Sequence, residues 1–107
     1  MGMVSRGEIW LVRLDPTVGS EIQKTRPCLV VSPKSQQKLH TAIVVPMTSK
    51  GFDAPYRPAI TFQGVEGKVL TDQLRAVSHR RLVKRLGEVD AATLSLTLSI
   101  LRETFED

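Results

Sequence analysis

Cysteine is almost missing from this sequence. Cys28 is the only one, which excludes an internal disulfide framework. It lies in the apolar run Cys28-Leu29-Val30-Val31 and reads as a small core residue rather than a nucleophile. No apolar run approaches the roughly 20 residues that span a bilayer. The start, Met1-Gly2-Met3-Val4-Ser5-Arg6, lacks the apolar stretch of a signal peptide. Both observations fit a cytoplasmic protein. The phosphate-cradling patterns GxxxxGK[ST] and GxGxxG do not occur. There is no Cys/His cluster of the kind that holds zinc, and the acidic residues are too scattered for a two-metal site, so neither metal nor cofactor is expected. His40 and His79 stand apart in polar surroundings, near expected element ends, which gives a paired-histidine acid–base mechanism little support. Aromatics are few. Phe52 and Tyr56 flank a loop beside Lys50 and Arg57, where two readings stay open: stacking on unpaired bases, or anchoring the loop. Internal repeats, linkers and low-complexity segments are also lacking.

What is present suffices for one folded domain over residues 1–107, with 41% hydrophobic and 24% charged residues. A domain this small gains stability by burying a further apolar patch in a dimer. Fifteen Lys+Arg against eleven Asp+Glu give a net charge of +4 and a pI near 9.6. That balance favours encounter with polyanions such as nucleic acid; the alternative is an arginine-rich solvated surface.

Glu8 to Asp15 reads as a strand with Trp10, Val12 and Leu14 on its core face and Arg13 on the other, ended by Asp15-Pro16. A polar loop over Pro16 to Arg26 follows, then a short strand over Pro27 to Ser32. Lys34 to His40 has room for one helical turn. Thr41 to Met47 is a third strand, dense enough in apolar residues to be buried on both sides. After a loop over Thr48 to Tyr56, Arg57 to Phe62 reads as an edge strand because of Pro58. Gln63 to Gly67 reads as a turn, and Lys68 to Val77 as the longest strand. Ser78 caps a short helical turn through Leu82, and Val83 to Val89 is a last strand weakened by Gly87. Asp90 is a good N-cap for an amphipathic C-terminal helix, with Leu94, Leu98, Leu101 and Phe105 at helical spacing. The fold class is therefore mostly β (β-rich α+β), a barrel-like or curved sheet carrying a helix.

Three places carry more chemistry than a scaffold needs. Gly19-Ser20-Glu21 followed by Lys24-Thr25-Arg26-Pro27 sets a carboxylate and two cations at a loop-to-strand junction, and a guanidinium is well matched to phosphate. Its plain alternative is a solvated loop. In Pro46-Met47-Thr48-Ser49-Lys50 a buried strand ends in two hydroxyls and an amine, able to donate to phosphate oxygens, though ordinary strand ends use the same residues. In Thr71-Asp72-Gln73-Leu74-Arg75, strand alternation sets Thr71, Gln73 and Arg75 on one face, with Gln73 and Arg75 about 7 Å apart. Asp72 then falls on an otherwise apolar face and, if buried, must find hydrogen-bond partners. A salt-bridged surface strand is the rival there.

Taken in order, Arg6-Gly7-Glu8-Ile9-Trp10, Asp15-Pro16-Thr17-Val18-Gly19-Ser20-Glu21, Arg26-Pro27-Cys28-Leu29-Val30-Val31-Ser32-Pro33, Pro46-Met47-Thr48-Ser49, Val69-Leu70-Thr71-Asp72-Gln73-Leu74-Arg75 and Arg81-Leu82-Val83 resemble the MazF/PemK/Kid-type toxins over essentially the whole chain. The resemblance implies an SH3-like barrel with a C-terminal α-helix, a homodimer, and sequence-specific cleavage of single-stranded RNA. It also implies a cognate antitoxin that fills the RNA groove with a flexible, acidic segment. By the same resemblance Arg26 and Thr48 act at the scissile phosphate, and Glu21 and Gln73 line the substrate groove. Ser20, Lys24, Lys50 and Arg75 complete the expected RNA-binding set. The loop Ile22-Gln23-Lys24-Thr25 departs from the family's usual glycine-containing type, so no base preference carries over. The implied reaction is attack by a ribose 2′-OH on phosphorus, giving a 2′,3′-cyclic phosphate and a 5′-OH. Arg26 would stabilise the developing charge, Thr48 would hold a non-bridging oxygen, and Glu21 is the candidate base. All of this requires Arg26 and Thr48 to share one cleft. Two other readings fit the same residues: a non-cutting RNA-binding barrel, and a toxin of this fold directed at DNA gyrase.

Overall fold

The computed structural model describes residues 3–107. Met1 and Gly2, read above as part of the non-apolar start, lie outside the described residues. Among the described residues, seven strands and one α-helix follow in chain order: β1 (Glu8–Arg13), β2 (Thr25–Val30), β3 (Thr41–Thr48), β4 (Ala59–Phe62), β5 (Val65–Val69), β6 (Arg75–Ser78), β7 (Leu82–Glu88) and α1 (Ala91–Thr104). All pairings are antiparallel, in the order β4-β5-β3-β2-β1-β7, with β6 also on β3. The result is a curled sheet carrying one C-terminal helix, as the sequence implies.

The curl explains why so many residues in a short chain are apolar on both sides of a strand. Val12, Leu14, Cys28, Val30, Val44 and Val77 fill one buried cluster, into which Trp10 also packs. The intervening Ile9, Leu29, Val31, Val45 and Met47 fill a second, closed by Leu101 of α1. Consecutive strand residues point to opposite faces, so a sheet with a core on each face needs unbroken apolar runs. The core face read for β1 is correct, but its opposite face is buried too, at Ile9. β3 organises the sheet: Thr41 to Val44 pair with β6, Val44 to Pro46 with β2, and Met47 and Thr48 with β5.

One expected element is overturned. Lys68 to Val77 is not a single strand. β5 ends at Val69, a 3₁₀ turn occupies Thr71–Gln73, and β6 begins at Arg75. The two strands contact opposite ends of β3, so the chain must bend between them. The face shared by Thr71, Gln73 and Arg75 disappears with the strand. The turn expected over Gln63 to Gly67 is confined to Gln63-Gly64, since β5 already starts at Val65. Gly67 is needed where it stands, because a Cβ there would lie 2.6 Å from the carbonyl oxygen of Thr48.

α1 is capped as expected, with the Asp90 carboxylate accepting from Thr93 N–H at 3.0 Å. Leu94, Leu98 and Leu101 pack on the second cluster. Phe105 does not; it stands just past the helix with 72% of its surface exposed. Thr97, unmarked in the sequence, is fully buried because its hydroxyl donates to the Thr93 carbonyl at 2.8 Å, which satisfies the polar group locally.

Candidate active site

Arg26 is the second residue of β2 and Thr48 the last of β3. The β2–β3 register runs as far as Cys28 with Pro46, two residues short of Arg26 and Thr48. Alternation gives both side chains the face of Cys28, Val30 and Val44, beyond the end of the first buried cluster. Arg75, paired with Val44, belongs to the same face. Arg26 and Thr48 also line one cavity of about 240 Å³, shared with Met47, Ile60, Phe62 and Leu86.

The local bonding leaves both groups chemically available. Arg26 Nε donates to the Gln23 carbonyl at 3.1 Å, which steadies the guanidinium, while its terminal nitrogens make no hydrogen bond among the described residues. The Thr48 hydroxyl oxygen accepts from Lys50 N–H at 3.1 Å, so its own proton is free to be donated. A forked cation and a hydroxyl donor on adjacent strands match two oxygens of one phosphodiester.

The remaining expected residues divide. Ser20, Glu21, Gln73 and Arg75 line a second, more polar depression of about 570 Å³. Glu21 is therefore not brought into the cavity of Arg26 and Thr48. Lys24 and Lys50 are exposed and line neither depression. Within the second depression Gln73 Oε1 accepts from Ile22 N–H at 2.6 Å, fastening the loop that carries Ser20 and Glu21. Glu21 Oε1 accepts from Val18 N–H at 2.5 Å, and Arg75 Nη1 donates to the Leu14 carbonyl at 3.1 Å.

An ion pair that the sequence reading missed, between buried Arg57 and partly exposed Asp72, holds the site's other loop. Arg57 makes a bidentate contact with Asp72, Nε to Oδ1 at 2.9 Å and Nη2 to Oδ2 at 2.7 Å. The hydrogen bonds from Arg57 hold the Asp72 carboxyl below its ordinary value and push the Arg57 guanidinium up. Phe52 stacks on Arg57 with its ring centroid 3.9 Å away, and the Thr71 hydroxyl donates to the Tyr56 carbonyl. The stacking on Arg57 supports the anchoring reading for Phe52, whereas the contact at Tyr56 is through its main-chain carbonyl and leaves both readings of its ring open. The sequence asks for a partner only if Asp72 is buried in a strand; it lies instead partly exposed in a 3₁₀ turn, and its pairing with Arg57, 15 residues earlier, was not legible. The cavity's apolar lining from β4 and β7 was equally unmarked.

Cys28 is fully buried, and burial pushes its thiol up to about 12 against the opposing pull of the Arg75 charge. It is core, as read. Among the described residues no group of three or more His, Cys, Asp or Glu side chains is placed to hold a metal ion, and no helix is long and apolar enough to cross a membrane.

Comparison with known proteins agrees with this geometry. The family described as PemK-like, MazF-like toxin of type II toxin–antitoxin system matches residues 5–105. Endoribonuclease PemK of Escherichia coli is 40% identical over 105 residues, covering 92% of this chain and 79% of that protein. Endoribonuclease MazF9 of Mycobacterium tuberculosis is 36% identical over 104 residues, covering 87% and 88%. The crystal structure of MazF from Deinococcus radiodurans superposes with a TM-score of 0.86 at 26% identity, over 97% of both chains. A mycobacterial endoribonuclease in complex with its cognate antitoxin shares the fold, with a TM-score of 0.78 at 22% identity over 94% of this chain and 92% of that one. With its sequence, its curled sheet and the match over residues 5–105 all in agreement, the chain belongs to the PemK-like, MazF-like toxins of type II toxin–antitoxin systems.

Proposed function

We propose that this chain is a metal-independent endoribonuclease, the toxin of a toxin–antitoxin pair, which cuts single-stranded RNA by attack of a ribose 2′-OH. The observation that carries the reading is that Arg26 of β2 and Thr48 of β3 line one cavity. The curated relatives named endoribonucleases support it at 36–40% identity.

In this reading the 2′-oxygen forms a bond to phosphorus as the bond from phosphorus to the 5′-oxygen breaks, leaving a 2′,3′-cyclic phosphate and a 5′-OH. Charge builds on the non-bridging oxygens at the transition state. Arg26 binds that charge more tightly than it binds the ground state and offers a proton donor toward the leaving oxygen. Thr48 donates to a non-bridging oxygen. Glu21 is assigned as the base, through the Oε2 atom left free by its bond to Val18. A base must come within hydrogen-bond reach of the 2′-OH, so this assignment requires the loop carrying Glu21, which lines the other depression, to close over the Arg26 cavity when RNA binds. Ser20, Lys24, Lys50, Gln73 and Arg75 then contact the strand on either side of the cut.

A second copy of the chain is assigned to the apolar groove beside α1, where Val31, Ile43, Leu98 and Leu101 lie next to exposed Phe105. The cognate antitoxin, with an acidic flexible segment, would occupy the RNA groove. A messenger RNA substrate makes the cytoplasm the place of action. The deciding experiment is incubation with a long RNA in EDTA followed by mapping of the ends. Discrete cuts with cyclic-phosphate termini are expected; binding without cuts would reduce the protein to a non-catalytic RNA module. Replacing the 2′-OH beside the cut with hydrogen should abolish cleavage.

A further inference from the structure

Arg13 ends β1, Arg80 and Arg81 lie in the 3₁₀ turn before β7, and Lys84 stands on β7 opposite Leu11. Arg13 and Arg81 are bound to main-chain carbonyls rather than to carboxylates. Arg13 Nη2 donates to the Arg80 carbonyl at 2.8 Å. Arg81 Nη1 donates to the carbonyls of Arg13 and Asp15 at 3.1 and 2.6 Å. A carbonyl orients a guanidinium without neutralising it. Among the described residues, the ion pairs join Arg57 to Asp72, Lys68 to Asp53, and Arg85 to Glu8 and Glu88; none includes Arg13, Arg80, Arg81 or Lys84. The carboxylate of Asp15, whose main-chain carbonyl Arg81 binds, is turned into its own loop, accepting from the Thr17 hydroxyl and from Lys24 N–H.

The fold thus gathers four cations and leaves their charge uncompensated, with most of the guanidinium donors still free. Self-repulsion opposes such an arrangement in the free protein; a chain bearing one negative charge per residue relieves it. We propose that Arg13, Arg80, Arg81 and Lys84 form a second RNA-contacting surface, which grips the phosphodiester backbone outside the bond that is cut. The inference rests on the endoribonuclease reading above. Alternation turns the Arg13 side chain to the sheet face opposite Arg26. The position of the cluster favours RNA over an acidic polypeptide because it adjoins the loop that leads into the site. Arg13 pairs with Thr25, the residue before Arg26, and Arg81 holds the base of the loop that carries Ser20, Glu21 and Lys24. The contacts are to phosphate alone, so they add affinity for long RNA without adding base preference.

The test uses the full chain with Arg13→Gln, Arg80→Gln and Lys84→Gln combined. A second variant, Arg80→Gln with Lys84→Gln, touches only exposed side chains and spares the Arg13 hydrogen bond. Binding of a long 2′-O-methyl RNA is measured across a salt series, beside cleavage of a short RNA that just spans the cut. The salt slope for the long RNA should fall by about 2 in the triple variant and about 1 in the double, at roughly 0.7 per lost phosphate contact. Cleavage of the short RNA should be unchanged. An unaltered slope in a folded double variant overturns the proposal, as does equal loss on short and long RNA. Variants that lose binding to polyglutamate but not to RNA would reassign the cluster to an acidic polypeptide. A wild-type protein that neither cuts nor binds RNA would instead remove the endoribonuclease reading, and this one with it.

Discussion

Arg26 has a division of labour built into one side chain. Its Nε is held by the Gln23 carbonyl, and its two terminal nitrogens, without a hydrogen bond among the described residues, remain as a planar fork of donors. Arg26→Ala should lower kcat by about a hundredfold or more, the scale of losing one transition-state donor, with a much smaller change in KM. A variant that cuts at near-normal rate would take Arg26 out of the mechanism. Glu21→Gln should also lower kcat about a hundredfold, as expected for removal of a general base, and a negligible change would leave the base unassigned. Cys28 makes the opposite case. Buried, with its thiol pushed up to about 12, it should resist alkylation at pH 8 until the chain unfolds. Rapid modification of the native protein would contradict that.

At the level of elements, the 3₁₀ turn at Thr71–Gln73 is the fastening between two loops. Asp72 and Thr71 hold the segment from Phe52 to Arg57 that follows Thr48, and Gln73 holds Ile22 in the loop that leads to Arg26. Asp72→Asn leaves Arg57, only 9% exposed, without its counter-charge. A loss of about 2 kcal/mol is expected, moderated because Asp72 keeps about a third of its side-chain surface in water. Thermal or denaturant unfolding would measure it. The pH dependence follows the same contact. The folded carboxyl is lowered by Arg57, so its contribution is present above the ordinary carboxylate range and is lost as pH falls through the lowered value. In Asp72→Asn that part of the acid limb should be missing; an unchanged limb would mean that the pair contributes nothing.

For the molecule as a whole, the two faces of the curled sheet are both core, and the groove beside α1 is where apolar surface remains uncovered. Phe105, at 72% exposure beside that groove, is the residue to test. Phe105→Glu should shift the protein toward a monomer in sedimentation measured over a dilution series, with its folded-state spectrum retained. A variant that sediments like the wild type would place any second copy elsewhere.

Local pattern alone determined the strands from Glu8 to Thr48, the cap and helix at the C-terminus, the core role of Cys28 and the phosphate-matching character of Arg26 and Thr48. Each of these rests on a period, a cap or a residue type that acts within a few positions of itself. Tertiary structure decided the rest. It broke the apolar stretch from Lys68 to Val77, because β5 and β6 must meet opposite ends of β3. It also chose Arg57 for Asp72, set Glu21 apart from Arg26, and left Phe105 in solvent. Those outcomes depend on which distant segments a curled sheet brings into contact, and no spacing along one strand encodes that.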